Sequence, residues 1–469
     1  MAFDRFRDEC GVVGVFGHLE AARLTCLALH GLQHRGQEGA GIAVGEGDRV
    51  RLLRGRGLVG DVFGEPELAS LSGDCAVGHV RYSTAGGGAL RNVQPFVVRY
   101  QHGQVAIAHN GNLVNAVELR AELEARGSIF ATSSDTEVIL HLLATSRQQS
   151  FVNRLVDALG QVQGAWSLVL LSNRHLVVVR DPHGFRPLVL GRLGDAWVAV
   201  SETCALDLIG ATFEREVEPG EMVIIDDQGE HSLRPFPRQP RRACVFEHIY
   251  FSRPNSQTFG RSVYGMRHRH GGLLADVHPV EADLVMPVPD SGTPAALGYA
   301  QASGLPFQQG LIRSHYVGRT FLEPSQDGRD LGVKLKLSPV RDVIAGRRLV
   351  VVDDSLVRGT TSKKIVRMLR EAGAREVHLR IASPPIVGSC FYGIDTPTQS
   401  ELVAHEQDAD AICRFVGADS LAYLDLERLR GDLGEGGAGW CDACFSLDYP
   451  VPPSDGVPRS QLPLFADEG

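Results

Sequence analysis

The chain has 469 residues, 43% hydrophobic and 22% charged, with 47 Lys and Arg against 56 Asp and Glu for a net charge of −9. That length allows two or three domains with full cores, and the negative balance argues against broad binding to nucleic acid or to an anionic membrane. No apolar run approaches the roughly 20 residues that span a bilayer, and the charged N-terminal stretch has no signal-peptide core, so a cytoplasmic protein with its nine cysteines reduced is expected.

Cys10-Gly-Val-Val-Gly-Val-Phe reads as a strand opening the first domain. A cysteine at a strand start is, alone, more often a small buried hydrophobe than a nucleophile. Leu32-Gln-His-Arg35-Gly-Gln-Glu38 ends the first helix, and Gly78-His-Val-Arg81-Tyr-Ser-Thr84 ends a later strand. Ala108-His-Asn110-Gly111-Asn112 follows another apolar run, and Ser133-Ser-Asp135-Thr-Glu137 opens a helix. Singly, each is an ordinary turn or cap. Gly55-Arg-Gly57-Leu-Val-Gly60 satisfies a dinucleotide-binding spacing, with Asp74 about where that motif places a ribose-binding acid, but the Asp-Val-Phe-Gly-Glu-Pro that follows is too broken for a long helix. A turn is expected there.

Residues 228–242, with Pro235, Pro237 and Pro240, read as a linker. A helix is expected from Arg261 to about Leu274, and from Asp283 onward strands and helices alternate as a parallel sheet requires. A strand over 284–290 turns through Ser291-Gly-Thr-Pro into a helix, a cradle of backbone N–H groups suited to an anion. Leu349-Val-Val-Val-Asp353-Asp354-Ser355-Leu-Val-Arg358-Gly359-Thr360-Thr361 is a buried strand with two acids at its carboxyl end, then hydroxyls and a glycine before a helix. Open α/β sheets bind ligands at that end, a helix N-terminus favours phosphate, and paired carboxylates suit ribose hydroxyls or a phosphate-bound metal ion. Residues 316–339, rich in Gly, Arg and Lys, read as an exposed loop. Cys441 and Cys444 form a C-x-x-C, while Cys244 and Cys390 stand alone; Cys26, Cys75, Cys204 and Cys413 read as packing residues. The tail beyond Pro450 has no sustained period and is expected to be disordered.

Taken together and in this order, the N-terminal motifs resemble the N-terminal-nucleophile glutamine amidotransferases over about residues 10–230. The 349–361 stretch resembles the type I phosphoribosyltransferases, which bind phosphoribosyl pyrophosphate (PRPP) there. From Cys10 to Pro450 the chain is similar to the iron–sulfur, propeptide-bearing amidophosphoribosyltransferases. The resemblance implies an N-terminal four-layer αββα glutaminase domain of the Ntn-hydrolase type, followed by a parallel-sheet α/β domain. Its divisions are a propeptide over 1–9, the glutaminase over 10–230, the transferase with its cysteines over 231–450, and a tail over 451–469.

The resemblance also implies roles. Cys10 becomes the nucleophile once residues 1–9 are removed, because its own α-amine must serve as base. Asn110 and the Gly111 N–H form the oxyanion hole, Arg81 and Asp135 hold the α-carboxylate and α-ammonium of glutamine, and Arg35 lies in the matching glutamine-loop motif. Ser355, Arg358, Gly359, Thr360 and Thr361 bind PRPP, and Arg319 and Lys336 belong to a lid over it. Ser291, Asp353 and Asp354 are the positions associated with Mg²⁺. Cys244, Cys390, Cys441 and Cys444 are implied ligands of a 4Fe–4S cluster, although four thiolates equally satisfy a structural zinc site. A homotetramer inhibited by purine nucleotides is implied as well.

Overall fold

The computed structural model describes residues 10–47, 49–82, 89–172, 175–314 and 337–452. The expected propeptide, Thr84, Arg319, Lys336, nearly all of the expected lid and the tail from residue 453 lie outside the described residues.

The first domain stacks two antiparallel sheets. One runs in the order Thr212–Glu216, Val189–Leu193, Ala196–Val200, Gly11–Phe16, Cys75–Arg81, Gly39–Glu46, Arg49–Arg56. The other runs Gly229–Leu233, Met222–Asp226, His175–Arg180, Gly164–Ser172, Gly103–Leu113, Phe96–Tyr100. The Gly11–Phe16 strand shows why the sequence lacks alternation. Val12 and Phe16 face the opposite sheet, while Val13 and Val15 pack under the helices Ala21–Gly31 and Thr203–Ile209. With both faces covered, every position must be apolar or small. The second sheet is covered likewise by Ala116–Ala125, Thr136–Thr145 and Phe151–Leu159. Side chains such as Leu29, Ile42, Ile107 and Ile139 are completely buried, each stabilising the fold by roughly 1.5–3 kcal/mol. The layer order is αββα.

In the glycine-rich Gly55-to-Gly60 stretch the expected turn falls at Gly57 and Leu58, between the Arg49–Arg56 strand and the four-residue helix Val59–Val62. Gly229–Leu233, inside the stretch read as linker, is instead the edge strand of the second sheet, pairing with Met222–Asp226.

The second domain carries a four-stranded parallel sheet in the order Leu284–Pro287, Arg348–Asp353, Glu376–Ile381, Ser420–Tyr423. Val350 and Val352 face the helices Val263–Val277 and Thr293–Ser303, whereas Leu349 and Val351 face Thr360–Glu371 and Ala409–Val416. The two domains meet across an apolar cluster of Ala165 and Phe185 from the first with Tyr392, Cys441 and Ala443 from the second; the rings of Phe185 and Tyr392 stack at 4.3 Å.

Candidate active sites

Cys10 lies one residue before the Gly11↔Val80 pair of the first sheet, so its neighbour across the ladder is Arg81. The Cys10 thiol is buried and lies 3.6 Å from the Tyr82 carbonyl. Burial lowers the pKa of the Arg81 guanidinium, and the negative charges of Cys10, Glu38 and Asp135 work against that shift. Cys10, Arg81 and Asp135 are therefore buried within electrostatic reach of one another. Asp135 caps the helix Thr136–Thr145: one carboxylate oxygen accepts from Thr136 N–H at 2.8 Å and the other from Leu113 N–H at 2.9 Å.

Asn110 and Gly111 lie inside the Gly103–Leu113 strand, opposite Ser167 and Trp166, rather than in a loop after it. Asn110 is 1% exposed, and its Nδ2 has no hydrogen-bond partner among the described residues. A buried amide donor left without an acceptor costs on the order of 1–3 kcal/mol, so the fold keeps it for something else. Gly111 has φ +147°, and a Cβ there would fall 2.1 Å from the Ala165 carbonyl oxygen; only glycine fits.

Arg35 is 1% exposed and stands behind the nucleophile. Its Nε donates to the Cys10 carbonyl at 3.1 Å, and its terminal nitrogens bond Glu202 at 2.5 Å and Glu247 at 2.7 Å. Glu247 comes from the second domain, in the segment after Cys244. Burial would raise the Glu202 pKa, but His34 and Arg35 overcome this and hold it at about 2. Neither glutamate was singled out in the sequence, because nothing near them in the chain signals a partner.

In the second domain the Arg348–Asp353 strand delivers both acids to its carboxyl end as expected. Asp353 and Asp354 are buried; Asp354 accepts from Ser355 Oγ at 2.8 Å through one oxygen, while its Oδ1 has no partner among the described residues. Gly359 caps the helix Thr360–Glu371, so the backbone N–H groups after it point toward the same end of the sheet. Arg358 meanwhile pairs with Glu401 at 3.0 Å. The turn carrying Ser291 is pressed onto the strand end: a Cβ at Gly292 would lie 3.2 Å from the Asp353 Cα.

The fold also gathers the four singled-out cysteines. Cys244 and Cys441 are register partners in a short parallel ladder, and Val387 and Gly388 donate to the Cys444 carbonyl at 2.9 and 3.0 Å, bringing in the Cys390 segment. Burial raises the Cys444 thiol pKa well above its ordinary value, and Cys244, Cys390 and Cys441 push it further. Burial likewise takes Cys441 to about 12. A bound cationic centre would oppose this shift by favouring the thiolates. Among the described residues, no three His, Cys, Asp or Glu are arranged so that they could hold a metal ion as they stand. Cys26, Cys75 and Cys204 are buried among the core residues, Cys204 with its thiol donating to the Gly31 carbonyl at 3.6 Å and to Glu202 at 3.8 Å, and Cys413 is partly buried.

A family model described as a glutamine amidotransferase domain matches residues 79–207. Amidophosphoribosyltransferase 2, chloroplastic, of Arabidopsis thaliana is 60% identical over 96% of this chain and 80% of its own length. The amidophosphoribosyltransferase of Bacillus subtilis is 50% identical over 95% of this chain and 94% of its own. The solved glutamine PRPP amidotransferase of B. subtilis, complexed with ADP and GMP, superposes with a TM-score of 0.91 at 49% identity, covering 96% of this chain and 99% of that one.

Proposed function

Since this chain belongs to the amidophosphoribosyltransferase family, we propose that Cys10 is its glutamine-hydrolysing nucleophile, with Asn110 and the Gly111 N–H as oxyanion donors. The chain is a glutamine-dependent glycosyltransferase and catalyses the first committed step of purine biosynthesis. Glutamine-derived ammonia goes to C1 of PRPP, giving 5-phosphoribosylamine, pyrophosphate and glutamate. The observation that carries the residue assignment is the buried Asn110 amide, unpartnered among the described residues, alongside the buried group of Cys10, Arg81 and Asp135.

After removal of residues 1–9, the α-amine of Cys10 takes the thiol proton; an α-amine titrates near pH 7.7–8.0, well placed to return that proton to the departing nitrogen. The sulfur attacks the glutamine carboxamide, and the oxygen that becomes negative meets donors already oriented for it. Arg81 pairs with the α-carboxylate and Asp135 with the α-ammonium. Arg35 acts on the enzyme rather than on glutamine: its bond to the Cys10 carbonyl, braced by Glu202 and Glu247, fixes the backbone that carries the nucleophile. Water then hydrolyses the thioester.

Ammonia must reach the second site unprotonated, since ammonium has no lone pair. There Ser355, Arg358, Gly359, Thr360 and Thr361 cradle phosphate, and Arg319 and Lys336 are assigned to PRPP binding. Ser291, Asp353 and Asp354 fit Mg²⁺: they are hard oxygen donors, and one Asp354 oxygen is buried without a partner among the described residues. When bound, the ion neutralises charge on the leaving pyrophosphate.

Cys244, Cys390, Cys441 and Cys444 fit a 4Fe–4S cluster by donor number and kind; when bound, it ties together the segments that meet at the domain junction. The relative solved with ADP and GMP supports feedback by purine nucleotides here; the homotetramer rests on the resemblance alone. No helix among the described residues is long and apolar enough to cross a membrane, and none of the nine cysteines is in a disulfide, which suits the reducing cytoplasm.

The test is glutaminase activity with and without PRPP, read beside intact mass. A chain starting at Cys10 whose glutaminase rises with PRPP supports the assignment. Full glutaminase activity in a chain that retains residues 1–9 would overturn it.

A further inference from the structure

His109 precedes Asn110 on the Gly103–Leu113 strand and is buried, yet the chemistry above leaves it without a task. Its ring meets two partners of different character. Nε2 lies 3.3 Å from the Ala165 carbonyl, which can only accept, and Nδ1 lies 2.9 Å from the Thr136 hydroxyl. A neutral imidazole has one N–H; the Ala165 carbonyl takes it on Nε2, which leaves Nδ1 to accept from Thr136 Oγ1 at 2.9 Å, nearer than Asp135 Oδ1 at 3.3 Å, the other acceptor for that hydroxyl. Gln94 closes the loop. Its Oε1 accepts from His109 N–H at 2.8 Å, and its Nε2 donates to Thr136 Oγ1 at 3.1 Å. From the other side His79 Nε2 donates to the His109 carbonyl at 3.1 Å.

Thr136 is also the residue whose N–H holds the Asp135 carboxylate at 2.8 Å. The ring therefore joins two pieces of backbone that must be in register for one small molecule: the strand carrying the oxyanion donors, and the helix start carrying the carboxylate that meets the α-ammonium. Glutamine has its carboxamide at one end and its ammonium at the other. Burial lowers the His109 pKa, with Asp135 opposing, which agrees with a neutral ring.

We propose that His109, with its proton on Nε2, is a positioning residue for glutamine hydrolysis: through Thr136 it sets the spacing between the Asn110 and Gly111 donors and Asp135. This rests on the oxyanion and ammonium roles given above. Small displacements in such constellations matter, since about 1 Å can cost about 10²-fold in rate. Because the ring acts on both ends of the substrate, its loss alters binding and turnover together.

The experiment is steady-state glutaminase kinetics, with PRPP present, on enzyme whose chain begins at Cys10, carrying His109→Gln, Thr136→Val or both, beside His109→Asn and Thr136→Ser. Gln keeps a donor toward Ala165 but loses the acceptor for Thr136, and Val removes the hydroxyl at nearly constant volume. The expected result is a KM for glutamine raised about tenfold with kcat lowered about tenfold in both. The double variant is expected to be no worse than either single, because both cut one link. Asn and Ser keep an acceptor and a donor respectively, and are expected within about threefold of the parent. A fall in kcat with unchanged KM, or a double loss equal to the product of the singles, would overturn the proposal. If His109→Gln does not fold, Thr136→Val and Thr136→Ser decide the matter alone. Asn110→Ala is measured in parallel. If it keeps full kcat, the oxyanion assignment has failed; if it abolishes turnover while the His109 and Thr136 variants are unaffected, only this proposal has.

Discussion

Gly393 of the second domain rests against Gly111 of the first: a Cβ built on Gly393 would lie 2.9 Å from the Gly111 carbonyl carbon. Beside this contact, Asn112 Nδ2 donates to the Phe391 carbonyl at 3.0 Å and Arg186 donates to the Tyr392 carbonyl at 2.7 Å. The strand carrying Asn110 and Gly111 is thus buttressed by the segment that begins at Cys390.

Gly393→Ala should act on the glutaminase. With φ at +109° and backbone in the way, the methyl cannot be accommodated without shifting Gly111. A displaced oxyanion donor predicts a kcat for glutamine hydrolysis lowered by about 10²-fold. Synthesis from free ammonia, which bypasses that step, should fall much less. Parallel assays with glutamine and with ammonia measure the split.

Asp354→Asn should separate activity from stability. The buried Oδ1 of Asp354 has no partner among the described residues, so replacing the carboxylate by an amide removes a desolvated charge. Ammonia-dependent synthesis should drop by about 10²-fold or more, with loss of its Mg²⁺ response. The melting temperature should not fall. Functional sites commonly hold such stability–activity trade-offs.

Cys390→Ser tests the four-cysteine centre. Iron and acid-labile sulfide should fall from a full cluster to background, with loss of visible absorbance and a lowered melting temperature, since metal binding is coupled to folding. Zinc in the parent enzyme, with no sulfide, would replace the cluster assignment by a structural zinc site.

His79 gives a pH prediction. Burial lowers its pKa to about 3, against an unfolded value near 6.5. Below about pH 6.5 the unfolded chain takes up a proton that the folded chain refuses, so this stabilisation is present above pH 6.5 and is lost as pH falls toward 3. His79→Gln can keep the donation to the His109 carbonyl without titrating. Its unfolding free energy should fall less steeply than the parent's in that window, by about 1.4 kcal/mol per pH unit. Urea titrations at several pH values measure the difference.

Much of this was readable in the sequence, for local reasons. Strand, paired acids, glycine and helix follow one another around Asp353 and Asp354, and Asp135 directly precedes the helix it caps. The contact that buttresses the strand carrying Asn110 and Gly111 was not, because Asn112 and Phe391 stand 279 residues apart. Glu202 and Glu247 were missed likewise: a buried carboxylate is legible only when the arginine that neutralises it is known. The Gly229–Leu233 strand was hidden by the prolines just beyond it, which drew the linker boundary too early. A signal for His109 was present in its place beside Asn110, but only the hydroxyl of Thr136 on another element gives that position a meaning.

The central claim is that Cys10 is the mature N-terminus and the glutamine nucleophile. The most direct test is to inactivate the enzyme with an electrophilic glutamine analogue and locate the adduct by peptide mass spectrometry. One adduct per chain, on a peptide whose first residue is Cys10 with a free α-amine, is the predicted result. An adduct on another cysteine, or on Cys10 in a chain still carrying residues 1–9, would contradict it.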